Sequence, residues 1–212
     1  FIIDKQAKVR LLEKILKDNE GTVLVFSRTK FGAKKINRYV QAMGYTSSEI
    51  HSNRSLAQRK EALAGFKSGK YRVLVATDIA ARGIDVTGIA MVINYDMPEN
   101  NEDYVHRVGR TGRAGMDGKA ISFATPDQRG SIKQIERLIK KTIPIISLPK
   151  LEPESDNLMR AIYMGDSKPS GNAGYGRGNS NINQGGGGYP RRNRSRRPGG
   201  FKRNARSRSR AY

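Results

Sequence analysis

Three clusters of polar residues, each lying just downstream of an apolar run or a short helix, carry the groups in this chain that could do chemistry. The densest is Tyr104-Val105-His106-Arg107-Val108-Gly109-Arg110-Thr111-Gly112-Arg113, in which Arg107, Arg110 and Arg113 recur every third residue with glycines between them. Guanidinium groups grip oxyanions bidentately, and small residues let the backbone turn tightly so that a bulky anion can approach. A triphosphate or an RNA phosphate is the natural ligand; a structural ion-pair network is the alternative. The second cluster, Val75-Ala76-Thr77-Asp78-Ile79-Ala80-Ala81-Arg82-Gly83-Ile84-Asp85-Val86, sets a hydroxyl, two carboxylates and an arginine at a strand end. Thr77 suits donation to a phosphate and Asp85 suits acceptance from a ribose hydroxyl. Equally, Thr77 could cap a helix starting near Asp78 while Asp85 pairs with Arg82. The third, Phe26-Ser27-Arg28-Thr29-Lys30, has the same position after a strand and weaker chemistry, and on its own is also the pattern of a capped helix start.

The elements that must hold these clusters are written in the apolar periodicity. Val9, Leu12, Ile15 and Leu16 recur at helical spacing, and Thr22–Phe26 is a short buried strand. Phe31 to Met43 predicts a helix closed by Gly44, Tyr45–His51 a weak strand, Leu56–Phe66 a helix closed by Gly69, and Arg72–Ala76 a strand. Ala90–Tyr95 predicts a strand, Asn101–Val108 a short helix, Lys119–Ala124 a strand and Ser131–Lys140 a helix with Ile132, Ile135, Leu138 and Ile139 on one face. Strands alternating with helices imply an α/β fold, a mostly parallel sheet covered on both faces. Ligands gather at the carboxyl ends of such strands, so the working residues should follow Phe26, Ala76 and Tyr95 and lie near Gly109.

Charge and composition divide the chain. Of 212 residues, 40 are Lys or Arg and 19 are Asp or Glu, a formal charge of +21 that argues for a polyanionic partner. Residues 1–166 carry 28 of the cations and all 19 acids, while 167–212 carry 12 cations, no acid and ten glycines. With Ile182 as its one aliphatic residue besides alanine, this last stretch cannot bury enough surface to offset its chain entropy and is expected to be disordered. Arg191, Arg192, Arg194, Arg196 and Arg197, with Tyr175, Tyr189, Phe201 and Tyr212 spaced around them, have the composition of a sequence-tolerant RNA-binding tail; a solvated linker is the plainer alternative. Residues 144–166, with Pro144, Pro149 and Pro153, predict a strap leaving a domain of residues 1–143. The absence of cysteine excludes a disulfide framework and a thiol nucleophile, and two histidines make no metal cage. A reducing compartment, the cytoplasm, fits. No apolar run approaches the roughly 20 residues of a membrane span. The chain begins with Phe1, so it is expected to be part of a longer polypeptide.

Taken together, HRVGRTGR at 106–113, ATDIAARGID at 76–85 and VFSRTK at 25–30 resemble motifs VI, V and IV of DEAD-box RNA helicases. The resemblance runs from about Asp4 to Lys140 and is to the second of the family's two RecA-like domains, with Val108 where isoleucine is usual. The surrounding wording and the Gly/Arg-rich tail are similar to the bacterial RhlE-like branch.

The resemblance implies an ATP-dependent enzyme that unwinds short RNA duplexes or remodels RNA–protein complexes. It implies that Arg110 and Arg113 are arginine fingers toward the γ-phosphate of ATP, with Gly83 and Asp85 also on the nucleotide and Asp85 at its ribose. His106 and Arg107 match positions that link the two domains. Arg28, Arg59, Thr77 and Asp78 match contacts to the RNA backbone, which give little base specificity. The family often has glycine after His51, where this chain has Ser52, and glutamine at the position of Leu56, leaving Asn53, Arg54 and Gln58 as the polar groups of that loop. A G-x-x-x-x-G-K-[ST] phosphate loop and an Asp-Glu-Ala-Asp sequence do not occur here. They belong to the family's first domain, which is therefore an expected partner, along with RNA, ATP and a Mg²⁺ held mainly by that domain. The competing readings are an ATP-independent RNA-binding or RNA-chaperone module and a DNA-directed translocase.

Overall fold

A computed structural model of the chain describes residues 1–81, 86, 88–112 and 118–163. Its centre is three four-residue strands whose every side chain is buried: β1 (Val23–Phe26), β3 (Val73–Ala76) and β4 (Met91–Asn94). Unbroken apolar runs suit strands covered on both faces, and all pairings in the sheet are parallel. The edge strands β2 (Ser47–Ile50) and β5 (Lys119–Ser122) are more polar, and the order is β2-β3-β1-β4-β5. Beyond β5, Ile2 bridges Ala124 in parallel and the Phe1 backbone nitrogen donates to the Ser122 carbonyl at 3.0 Å, so these residues extend that edge.

The strands' alternation sorts the core into two layers. Val23, Val25, Val73, Val75, Met91 and Ile93 face helices α1 (Lys8–Asp18) and α2 (Lys30–Ala42), meeting Leu11, Leu12, Leu16, Ile36 and Val40. Leu24, Phe26, Leu74, Ala76 and Val92 face α3 (Leu56–Lys67), meeting Ala62 and Phe66. A short helix, α4 (Asp78–Ala81), follows β3 directly. Helices α5 (Asn101–Val108) and α6 (Arg129–Ile139) close the β4–β5 side through Met97, Tyr104, Ala124 and Ile135.

Local chemistry starts and stops these helices where expected. The Thr29 hydroxyl accepts from the Gly32 amide at 2.9 Å to cap α2, and Ser55 with Gln58 forms a reciprocal capping box on α3. Arg72 donates to the carbonyls of Leu16, Asn19 and Gly21 at the end of α1 while its guanidinium lies 4.6 Å from the Tyr45 ring centroid. A cation there complements the helix carbonyl end.

The stretch after residue 143, predicted as a strap leaving the core, instead returns to it. Pro153 is followed by α7 (Asp156–Tyr163), capped by Ser155, whose Oγ accepts from the Leu158 amide at 3.4 Å. Leu158 is fully buried against Val9 and Tyr39. Glu154 pairs with Arg10 at 3.5 Å and Glu152 with Lys17 at 3.6 Å, laying the strap along the exposed side of α1. Three prolines read as a linker because proline removes regular structure locally; Leu158, Ala161 and Ile162 supply the helical stripe that redocks the chain.

Leu158→Ala is expected to cost about 2–5 kcal/mol of α7 docking. Limited proteolysis should then cut faster between Pro153 and Tyr163. Unchanged cleavage kinetics would show that Leu158 is not the anchor.

Candidate nucleic-acid and nucleotide interface

The carboxyl ends of β1, β3 and β4 converge, and the side chain that joins them is Arg107. It is 1 % exposed, the largest fully buried side chain among the described residues. Its Nε and Nη2 donate to the two carboxylate oxygens of Asp78 at 2.5 and 2.7 Å. Its Nη1 donates to Asn94 Oδ1 at 3.2 Å and to the Asp96 carbonyl at 2.6 Å. The guanidinium also sits 5.0 Å from the Phe26 ring centroid. One side chain thus ties α5 to the start of α4, the end of β4 and the end of β1. A bidentate, charge-assisted pair with its remaining donors satisfied is the geometry in which a buried ion pair holds its partners in place.

Two residues that the resemblance singled out meet in this pair. Arg107, matched to a position that links the two domains, gives four N–H groups to partners inside this one. Asp78, matched to an RNA contact, gives both oxygens to Arg107 while its side chain keeps 22 % of its surface exposed. The physical reason is common to both: a guanidinium taken out of water needs a carboxylate partner, and Asp78 is that partner.

Around this buried pair the outward-facing groups are arranged in two neighbouring patches. His106 and Arg110 project from α5 and its end, and they line a cavity of about 270 Å³ with Phe26, Ala81, Asp103 and Arg107. His106 is exposed, 3.8 Å from the Asp103 carboxylate, and the Arg110 Nε donates to the His106 carbonyl at 3.3 Å. The next residue, Thr111, donates to the Ile89 carbonyl at 2.6 Å, fastening the loop to the start of β4. Gly112 has φ +67°, the left-handed region that favours glycine, whereas Gly109 has φ −66° and needs no such freedom.

The second patch holds Arg28, Thr77, Asp78, Ile79, Glu99, Asn100 and Asp103 around a cavity of about 300 Å³. Thr77 closes β3 by donating its amide to the Ile50 carbonyl at 3.2 Å, and its hydroxyl has no partner among the described residues. Arg28 is exposed; its Nη2 donates to the Met97 carbonyl at 3.3 Å and its amide to Asp96 Oδ2 at 3.2 Å. Arg59, on the first turn of α3, forms no side-chain hydrogen bond or ion pair with the described residues, and its Nε is buried. Gly32 permits the tight start of α2, since a Cβ there would collide with the Ser27 hydroxyl.

Sequence reasoning passed over Asp96, the second hub. Its Oδ1 accepts from Lys8 at 3.2 Å, its Oδ2 accepts from Ser27 and the Arg28 amide, and its carbonyl accepts from Arg107. Its position one residue after the run ending at Tyr95 was the available signal. Lys8, 5 % exposed and also donating to the Tyr95 carbonyl at 2.8 Å, had none, because it stands on a face of α1 that reads as solvated. Burial pushes the nearby Tyr95 phenol well above its ordinary range. Gly83, Asp85, Arg113 and the tail residues Arg191, Arg192, Arg194, Arg196 and Arg197 lie outside the described residues. Among the described residues no three His, Cys, Asp or Glu side chains group to hold a metal ion, and no helix is long and apolar enough to cross a membrane.

A parallel five-stranded sheet flanked by helices, with an arginine-rich helix end at the strands' carboxyl edge, defines a RecA-like domain of helicase type. Residues 7–115 match the helicase conserved C-terminal domain, and the chain belongs to that family as a DEAD-box C-terminal domain. It is 42 % identical over 173 residues to the ATP-dependent RNA helicase DBP2 of Scheffersomyces stipitis, covering 80 % of this chain and 32 % of that protein. The chain therefore spans about a third of that curated relative. The E. coli DEAD-box protein SrmB, solved bound to the regulator of ribonuclease activity A, superposes with a TM-score of 0.66 at 32 % identity, covering 73 % of this chain and 94 % of that one. S. cerevisiae Dbp5, solved bound to RNA and ADP BeF3, gives a TM-score of 0.60 at 29 % identity over 64 % of this chain and 37 % of that one.

Breaking the central pair tests its role. Asp78→Ala leaves a buried guanidinium without its counter-charge and should lower stability by about 3–5 kcal/mol, read as a shift in urea midpoint at constant slope. Arg107→Lys should fall close behind, because one ammonium cannot reach Asp78, Asn94 and Asp96 together. A loss below about 1 kcal/mol would mean that the pair behaves as a solvated one.

Proposed function

We propose that this chain is the second RecA-like domain of an ATP-dependent DEAD-box RNA helicase, one that unwinds short RNA duplexes or remodels RNA–protein complexes. The observation that carries the reading is the adjacency of two differently equipped patches across one buried ion pair. Arg110 and His106 stand on one side, and Thr77 with Arg28 on the other. A group that must respond to RNA and to nucleotide needs both patches mechanically joined, and Arg107 with Asp78 joins them.

In this mechanism ATP supplies the γ-phosphoryl group that is transferred to water, together with a Mg²⁺ ion held mainly by the first domain. Arg110 and Arg113 act as arginine fingers, stabilising charge that develops on that group once the domains close. Gly83 and Asp85 hold the nucleotide, Asp85 at a ribose hydroxyl. The cavity of about 270 Å³ lies directly beside Arg110 and His106. His106 faces the first domain. We assign Arg107 to linking the patches internally and Asp78 to positioning Thr77, rather than to direct contact with the other domain or with RNA.

On the RNA side, Thr77 and Arg28 present donors suited to phosphate oxygens and Arg59 a second cation. Closure then bends the strand so that its complement cannot stay paired. The tail from Ser167, with Arg191, Arg192, Arg194, Arg196 and Arg197, holds RNA near the domain without sequence preference. Within the family we place the chain nearest the bacterial RhlE-like branch, on the wording of its motifs and the composition of this tail, and in the cytoplasm.

Three outcomes test the reading. In the whole protein, Arg110→Ala should lower ATP turnover by about 10³-fold with RNA affinity little changed; equal losses in both would contradict the finger role. Residues 1–212 alone should turn over no measurable ATP with or without RNA, and turnover by the purified fragment would overturn the split site. Deletion from Ser167 should weaken RNA binding and flatten its dependence on salt, since fewer phosphate contacts release fewer counterions. RNA binding without ATP turnover in the whole protein would favour an ATP-independent RNA-binding module.

A further inference from the structure

The buried polar group that the mechanism leaves unused is Glu49, in the edge strand β2. It is 3 % exposed, and its Oε2 has no hydrogen-bond partner among the described residues. Its other oxygen accepts from Arg54 twice, from Nε at 3.1 Å and from Nη2 at 2.5 Å. His51, also buried, accepts the Asn53 amide on Nδ1 at 3.2 Å. Its Nε2 lies 3.3 Å from the same Glu49 oxygen but forms no hydrogen bond with a described residue, so His51 packs against the carboxylate rather than donating to it. A buried carboxylate with one oxygen unpaired costs stability that an apolar side chain in its place would not. Both of its contacts lead into one short loop, residues 51–55.

That loop lies within the candidate interface. Its strand ends level with β3, since Ile50 is in register with Ala76, and the Thr77 amide donates to the Ile50 carbonyl. On the other side Lys30 donates to Asn53 Oδ1 at 3.1 Å, joining the loop to the start of α2 two residues after Arg28. Glu49 thus stands behind a loop stitched to both Arg28's segment and Thr77's. Ser52 is exposed, and neither its amide and hydroxyl nor the Asn53 side-chain amide donates to a described residue. These are donors suited to phosphate oxygens.

We propose that Glu49 is a positioning residue for RNA contact, holding the 51–55 loop through Arg54 and His51 so that Ser52 and Asn53 present donors beside Arg28 and Thr77. The proposal rests on the RNA reading of this sheet edge. It accounts for the loop's composition: where a glycine would let RNA reach the backbone by absence of a side chain, a pinned Ser52–Asn53 pair offers donors of its own.

Hydrogen–deuterium exchange of the 212-residue chain, read by mass spectrometry with and without a single-stranded oligouridine, separates the possibilities. In the parent chain, RNA should slow exchange at 28–30, 51–56 and 77–81. Glu49→Gln keeps the volume and removes the charge; it should speed loop exchange about tenfold, the worth of one charge-assisted hydrogen bond. It should also abolish the RNA-induced protection at 51–56 while leaving that at 77–81 and the slow exchange of β1 and β3. The double variant Glu49→Ala/Arg54→Ala, which leaves no buried charge unpaired, should behave alike. Retained loop protection in both variants would overturn the positioning role. Protection of 28–30 and 77–81 without 51–56 in the parent chain would overturn it while the RNA reading stands. No protection at any of the three would overturn both.

Discussion

Everything at the carboxyl edge of this sheet hangs on where one guanidinium can go. Arg107 leaves the buried face of α5, and once its charge is removed from water it must be met by a carboxylate and by acceptors for its other N–H groups. Asp78, Asn94, the Asp96 carbonyl and the Phe26 face meet it. These four come from the ends of β1 and β4 and from the residue that opens α4. The pair therefore does more than stabilise; it sets the height at which α5 ends and the direction in which Arg110 leaves it. It also places Thr77, one residue before Asp78, relative to that arginine.

The same logic of a carboxylate that gathers its neighbours recurs at the half-buried Asp96 and at the buried Glu49. Asp96 gathers Lys8, Ser27 and the Arg28 amide, so the segment after β1 is held from below by α1 and from the side by β4. Glu49 gathers Arg54 and His51 at the far side of β3. Each anchor lies one layer beneath a loop whose exposed groups suit phosphate. A sheet edge built this way presents preorganised donors, and preorganised donors need no further ordering when an anion arrives. The apolar layers beneath explain why the anchors can be precise: side chains close-packed on both sheet faces leave the strand ends no room to slide.

The strap and α7 show how readily a composition argument about linkers fails at the edge of a domain. Prolines at 144, 149 and 153 break regular structure locally, and the sequence between them has no helical stripe. The stripe that matters begins only after Ser155, and it becomes a docking face because Val9 and Tyr39 leave a site for Leu158 between α1 and α2. Propensity in the strap could not reveal that site; the packing of two distant helices makes it.

How much was legible in the sequence follows from which interactions are local. Central strands buried on both faces must be unbroken apolar runs, and helices covering one face must show a stripe, so β1, β3, β4, α1, α2 and α5 could be read within a residue or two. The rule that ligands gather at strand carboxyl ends located the candidate site at Arg28, Thr77 and Arg110 for the same reason. Charge partnership is not local. That Arg107 turns inward while Arg110 lines a cavity, that Asp78 belongs to Arg107, and that Lys8, Glu49 and Asp96 are anchors depends on which residues the chain crossings bring within hydrogen-bonding distance. Periodicity and motif spacing determined the scaffold and the neighbourhood of the site. Tertiary structure alone decided which charges are spent inside the domain, because a buried charge must find its partner wherever the fold places one.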